Sequence, residues 1–280
     1  MPGFPPFPQD TARKDTARIG LLGVSFDAFS SYQRGSAEAP EQIRAAFFCP
    51  SSNLWTEDET DLGAPGLFAD AGDVAPAPED MLAVVESAAH RLHAAGLKVF
   101  ALGGDHSVTY PLVRAAAQFH PGLTILHFDA HPDLYDTFDG NPYSHASPFA
   151  RILEAGLVKR LVQVGIRTIN RHQREQARRY NVEVLTMQHW QEVFTLQFDS
   201  PLYLSFDLDC LDPAFAPGVS HREPGGLSTR DALSIIQSLR ADVVAADLVE
   251  FNPQQDPTGV TDMVAAKLFK EIAAKMLDSV

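Results

Sequence analysis

Two cysteines, Cys49 and Cys210, are all that the 280-residue chain carries. That is too few for a disulfide framework, and it leads to the expectation of a reducing, cytoplasmic setting. Long apolar runs are missing as well: none approaches the roughly 20 residues of a membrane span. The opening stretch MPGFPPFPQDTARKDTAR lacks the apolar core of a signal peptide. Basic residues are scarce, with 22 Lys and Arg against 36 Asp and Glu, a formal charge of −14. Nucleic acids and anionic membranes are therefore poor partners, whereas a small cation suits the field. Internal repeats and linkers are also lacking. Four prolines among the first eight residues mark segment 1–17 as an extended arm that packs on a neighbour or stays loose. Residues 18–280 then form one domain.

What is present is an alternation. Short apolar runs rich in β-formers predict strands at Ile19–Val24, Leu97–Leu102, Leu123–Phe128, Leu161–Val164, Leu202–Phe206 and Val243–Val249. They are almost continuously apolar, as strands covered on both faces are. Between them, Glu79–Ala95 spaces Leu82, Val85, Ala89 and Leu92 for one helical face and stops at Gly96. Pro148–Ala155 reads as a helix with Ser147 as N-cap. Ser228 and Asp231 read as a capping box opening Thr229–Leu239, and Thr261–Leu277 as a closing helix. The pattern predicts an α/β chain with one parallel sheet between helical layers.

Chemistry collects just after four of these strands. His106 follows the second; Asp129, His131 and Asp133 follow the third; Asp207, Asp209 and Asp212 follow the fifth; Glu250 follows the sixth. In a parallel sheet the strand C-termini share one edge, where ligands bind. Segments far apart in sequence thus deliver two imidazoles and several carboxylates to one place. Singly, each motif has a plain alternative: Asx-type turns for the aspartates, or a helix-start residue for His106. Jointly, acids gathered behind apolar strands would repel one another without a cation. Asp129, Asp133, Asp207 and Asp209 bring four negative charges, so two divalent ions balance the cluster better than one. Hard oxygens with two imidazoles and no motif thiolate favour Mn²⁺. Cys210, alternating with Asp209, is expected to point away as a packed thiol.

Gly103–Ser107, Asp129–Asp133 and Ser205–Pro213 together resemble the three signature motifs of the ureohydrolases. Asp212–Ser228, Gly140–Ser147 and Val249–Pro253 look most like the plant-type arginases and their bacterial relatives. The resemblance implies a three-layer α/β/α fold with a mainly parallel eight-stranded sheet. It implies two Mn²⁺ ions, one held by His106, Asp129, Asp133 and Asp207, the other by Asp129, His131, Asp207 and Asp209. It also implies a homo-oligomer, trimer or hexamer. His145 is similar to the family's proton-shuttle histidine, and Glu250 to the acid that clamps the guanidinium. Asn141 and Ser144 stand in the loop that contacts the amino-acid end of arginine. His127 and Asp136 flank the cluster as orienting groups.

The function implied is hydrolysis of a guanidino substrate, L-arginine first, to urea and ornithine. Coordination to divalent ions is what makes water nucleophilic enough at neutral pH to attack so weak an electrophile. Agmatine or another guanidine is the alternative substrate, because Val219–Glu223 departs from the Gly-Thr-Gly-Thr-Pro run of animal arginases and agmatinases. A metal-dependent deacetylase is the alternative of another class, separable by a single zinc and amide cleavage. A phosphoesterase would want a basic residue in these motifs, and they have none.

Overall fold

Strands that are apolar on both faces demand cover on both sides, and the computed structural model, which describes residues 3–6 and 17–278, supplies it. The elements are β1 (Ile19–Val24), α1 (Ala39–Phe47), β2 (Phe68–Val74), α2 (Met81–Ala94), β3 (Lys98–Leu102), α3 (Thr109–Phe119), β4 (Thr124–Phe128) and α4 (Pro148–Glu154). They continue with β5 (Arg160–Ile166), α5 (Arg171–Arg179), β6 (Glu183–Thr186), β7 (Leu202–Asp207), α6 (Thr229–Ser238), β8 (Val243–Val249) and α7 (Val260–Leu277). The eight strands form one sheet in the order β2-β1-β3-β8-β7-β4-β5-β6, every pair parallel.

Alternate side chains of the same strand enter two different cores. Ile19, Leu21, Phe100, Leu102, Leu126, Phe128, Leu204 and Phe206 pack with α1, α6 and α7. Leu22, Val24, Val99, Ala101, Ile125 and Tyr203 pack with α2, α3 and α4. The six expected strands form, with ends shifted by a residue or two. β2 and β6 were not anticipated. Both are edge strands: β2 carries Asp70, Gly72 and Asp73, and β6 is four half-buried residues. An edge strand with one wet margin has little need of the apolar run that marks a central one. Among the described residues no helix is long and apolar enough to cross a membrane.

Two helix starts contrast. Ser228 and Asp231 form the reciprocal box, each side chain bonded to the other's backbone N–H. Ser147 does not cap α4: its hydroxyl is buried without a partner, and Pro148 at the first turn opens the helix instead. Of the expected arm, Phe4 packs its ring on Phe47, Phe48 and Phe68 at centroid distances of 4.9, 4.8 and 4.9 Å. Pro5 accepts the Asp70 N–H at 2.7 Å, so residues 3–6 run along the outer margin of β2. The rest of segment 1–16 lies outside the described residues.

The helical layer on the α2 side of the sheet holds a buried titrating group. His93 on α2 is 5% exposed, stacked on Phe119 and edge-on to His120. Burial, followed by the nearby His120 and His90, lowers its pKa from 6.5 to about 3. The folded ring is neutral, so above pH 6.5 its ionisation costs nothing. Between pH 6.5 and about 3 only the unfolded chain takes up the proton. Stability falls there by at most about 1.4 kcal/mol per pH unit. His93→Leu is expected to flatten the loss of urea-denaturation stability between pH 7 and pH 4.5; an unchanged slope would move its origin to another group.

Candidate metal centre

The four central strands β3, β8, β7 and β4 end side by side, within about 14 Å at three inter-strand spacings. Close approach of backbone makes this possible: a Cβ on Gly104 would stand 1.7 Å from the Phe26 carbonyl oxygen. Gly104 in turn accepts the Glu250 N–H at 2.9 Å. Asp133 and Glu250 both adopt left-handed backbone, φ 50° and 62°, which turns each carboxylate inward at a cost seen mostly at functional positions.

The six residues His106, Asp129, His131, Asp133, Asp207 and Asp209 meet there in two groups. His106 Nδ1 lies 3.2 Å from Asp129 Oδ2, 3.1 Å from Asp133 Oδ2 and 3.1 Å from Asp207 Oδ2. His131 Nδ1 lies 3.3 Å from Asp129 Oδ1 and 3.0 Å from Asp209 Oδ2. Asp129 thus offers one oxygen to each group. The second oxygen of Asp207 accepts the Asp209 N–H at 2.8 Å, and that of Asp209 accepts the Ala130 N–H at 3.1 Å.

The proton on His106 can be placed by elimination. Asp247, buried at the end of a chain of hydroxyls, accepts from Ser205 Oγ at 2.7 Å, Tyr203 at 2.7 Å and Thr109 at 2.8 Å. Ser205 spends its hydrogen on Asp247, so at 3.1 Å it accepts from His106 Nε2. In the neutral ring that leaves a lone pair on Nδ1, fully buried and without a hydrogen-bond partner, facing three carboxylate oxygens. Such a position calls for positive charge, either a metal ion or a second proton on the ring. Burial alone would lower the pKa of His106, but Asp129, Asp133 and Asp207 outweigh it and push it well above the imidazole range. Burial, then Asp209 and Asp129, pushes Asp207 well above the carboxylate range, and Asp209 rises to about 6. His106 and His131 compensate these acids only in part, and the donor set fits divalent metal ions.

Beside the cluster, His145 Nδ1 lies 3.4 Å from Glu250 Oε1, and its Nε2 lies 2.8 Å from Ser31 Oγ. Burial opposes the imidazolium, yet the hydrogen bond with Glu250 prevails and carries His145 to about 9. The same contact holds Glu250 below its usual value in spite of burial. Glu250 Oε1 also accepts the His106 N–H at 2.9 Å, while Oε2 is buried with no partner. His221 stacks on His145, centroids 5.1 Å apart and 22° between planes. A cavity of about 270 Å³ opens onto these groups, its wall including Asp133, Asp207, Asp209, Glu223 and Glu250 and no Lys or Arg.

The arginase family's sequence model matches residues 17–274. The chain belongs to the arginase family. It is 48% identical to "Arginase 1, mitochondrial" of Arabidopsis thaliana over 93% of this chain and 81% of that protein. The solved arginase of Medicago truncatula matches with TM-score 0.88 and 44% identity, over 93% of this chain and 88% of that one. The agmatine ureohydrolase of Thermoplasma volcanium matches with TM-score 0.84 at 32% identity, over 95% and 92%. The chain is thus a metal-dependent ureohydrolase with the arginase fold, and the deacetylase reading falls away. The cytoplasmic expectation is corrected by the same comparison, because the Arabidopsis relative, 48% identical over the matched residues, is named as mitochondrial. Scarce cysteines mark a reducing environment and do not say which compartment provides it.

Other expected residues of this arginase-family chain stand differently. Asn141 and Ser144 do not line the cavity; Asn141 Oδ1 accepts the Tyr143 N–H and Ser144 Oγ the Ala146 N–H. Asp136 accepts from Gln176 and does not line the cavity. Cys210 is fully buried in the core. Sequence reading passed over Ser205, Asp247, Gln163 and Gln173, polar residues inside strands or a helix. It also passed over Arg167, which donates to the carbonyls of Asp209 at 2.7 Å and Glu223 at 2.6 Å and so ties the metal loop to the loop bearing His221. Asp129→Asn is expected to abolish tight metal retention, read by elemental analysis after gel filtration; undiminished metal would remove Asp129 from the centre.

Proposed function

We propose that the chain hydrolyses L-arginine to urea and ornithine, with two Mn²⁺ ions held by His106, Asp129, His131, Asp133, Asp207 and Asp209. The observation that carries the reading is the free Glu250 Oε2, buried beside the cluster in a cavity whose wall includes five carboxylates and no Lys or Arg. A guanidinium supplies what that oxygen lacks, two N–H donors and a positive charge. Divalent cations supply Lewis acidity that makes water a nucleophile at neutral pH.

The chain's own residues account for the remaining tasks. Glu250 accepts guanidinium N–H groups and fixes the carbon relative to the cluster. When the C–N bond breaks, the electron pair stays on the departing amine nitrogen, which needs a proton. His145, with a pKa of about 9, holds one through neutral pH and stands beside Glu250 to deliver it. Among the residues lining the cavity, Gln173, 2% exposed, has a carbonyl oxygen without a hydrogen-bond partner, and Ser31 and Thr168 carry hydroxyls. Such polar lining suits an amino acid's ammonium and carboxylate better than the single amine of agmatine. The identity with the Arabidopsis arginase supports the same choice. Assembly into trimers or hexamers, carried by the family resemblance, is read by light scattering.

Urea release after Mn²⁺ loading, with arginine, agmatine, guanidinobutyrate, formimidoylglutamate and guanidine side by side, tests the substrate. Arginine is expected to give the highest kcat/KM; a tenfold preference for any of the others would displace it. His145→Ala is expected to keep its metal while kcat drops about a hundredfold or more. Unchanged kcat would take the proton transfer away from His145.

A further inference from the structure

Behind the Asp129 carboxylate lies a second histidine whose proton is also fixed by its neighbours. The Pro132 carbonyl oxygen carries no hydrogen, so the Gln163 atom 2.7 Å from it is the amide nitrogen. A flipped amide would set two carbonyl oxygens against each other. The same nitrogen is 3.1 Å from His127 Nδ1. With one N–H donated to Pro132, the other goes to Nδ1, which must be the lone-pair nitrogen. The hydrogen of the neutral ring therefore sits on Nε2, and it is donated to Asp129 Oδ2 at 2.8 Å. Gln163, His127 and Asp129 are all 0% exposed, and Phe149 stacks on the His127 ring at 3.9 Å. No bulk water can stand in for the missing partner in either tautomer.

Asp129 is thereby pinned at both ends. Oδ2 takes the His127 proton, and Oδ1 takes the His131 backbone N–H at 2.6 Å. Each oxygen keeps a lone pair, one directed to the His106 group and the other to the His131 group. Gln163 reaches Pro132, between His131 and Asp133, and so joins this loop through His127 to Asp129. Its own carbonyl oxygen is buried without a partner, as expected of an amide placed for its two N–H groups.

We propose that Gln163 is a positioning residue of the metal centre: by holding His127 as the Nε2–H tautomer, it orients both oxygens of Asp129 toward the two cation positions. The proposal rests on the cluster's being a metal centre. It does not depend on the substrate. Gln163→Glu replaces the donor by an acceptor, so the His127 proton should move to Nδ1 and leave two lone pairs facing at Asp129. Gln163→Met keeps the volume and removes the donor.

The full-length chain is titrated with Mn²⁺ by electron paramagnetic resonance. In parallel, imidazole ¹⁵N–¹H correlation spectra are recorded on the chain loaded with diamagnetic Zn²⁺. The expected result is an Nε2–H signature for His127 in the parent, an Nδ1–H signature in Gln163→Glu, and Mn²⁺ affinity about 10- to 100-fold weaker in both Gln163 variants. His127→Phe, which retains the stack on Phe149, should weaken Mn²⁺ similarly, and adding Gln163→Met to it should cost little more. Full additivity in that cycle, or parent-like Mn²⁺ affinity in both Gln163 variants, overturns the proposal, as does a retained Nε2–H signature in Gln163→Glu. If Gln163→Glu does not fold, Gln163→Met and the cycle decide. A parent chain that binds no Mn²⁺ would sink the metal-centre reading itself, a distinguishable failure.

Discussion

Four carboxylates confined at the floor of one cavity repel one another, and the surrounding structure is organised around admitting positive charge there. The control is exerted through hydrogens rather than through bulk. At one side the Asp247 carboxylate accepts three hydroxyls, which forces the lone pair of His106 inward. At the other the Pro132 carbonyl sets the amide of Gln163, which sets the ring of His127. Neither Asp247 nor Gln163 faces the cavity. Each determines what a group nearer to it can donate, and in surroundings without water that choice is not negotiable.

Topology explains why so much can be gathered. Helical crossovers carry the chain away from the sheet and return it, so β3 and β4 can be separated by β8 and β7, which come last in the sequence. All four end at the same level, and each contributes one or more charged side chains within reach of the others. His145 and Glu250, the pair proposed to face the substrate, share this edge, and the acids that would attract cations also shape the field of the cavity they line. One electrostatic design therefore suits both a metal ion and a cationic substrate.

What could be read from the sequence follows from the same geometry. The six clustered acid and histidine residues, Glu250 and the central strands were legible because acidic and histidine residues directly after an unbroken apolar run are conspicuous. β2 and β6 were not, since an edge strand needs no such run. Ser205, Asp247 and Gln163 lie inside β7, β8 and β5, where a polar residue looks like a blemish in a hydrophobic pattern; only pairing across the sheet shows that it has partners. His221 sits in a loop whose departure from animal arginases was visible, but its stacking on His145 required coordinates. Asn141 and Ser144 were placed by resemblance, and here both side chains serve the local backbone. Ser147 was read as a cap from its residue type, although Pro148 alone suffices to open α4.

The two margins of the sheet have been finished differently. Along β2 the chain lays down its own residues 3–6, with Phe4 driven into a nest of phenylalanines. Along β6 the margin is short and half-buried, and Glu183 is engaged by Arg160 at 2.6 Å. A foreign strand seeking to extend the sheet would have to peel away the protein's own amino end at one side or disrupt an ion pair on only four residues at the other. The molecule can thus keep a broad eight-stranded sheet without inviting its copies to pair edge to edge.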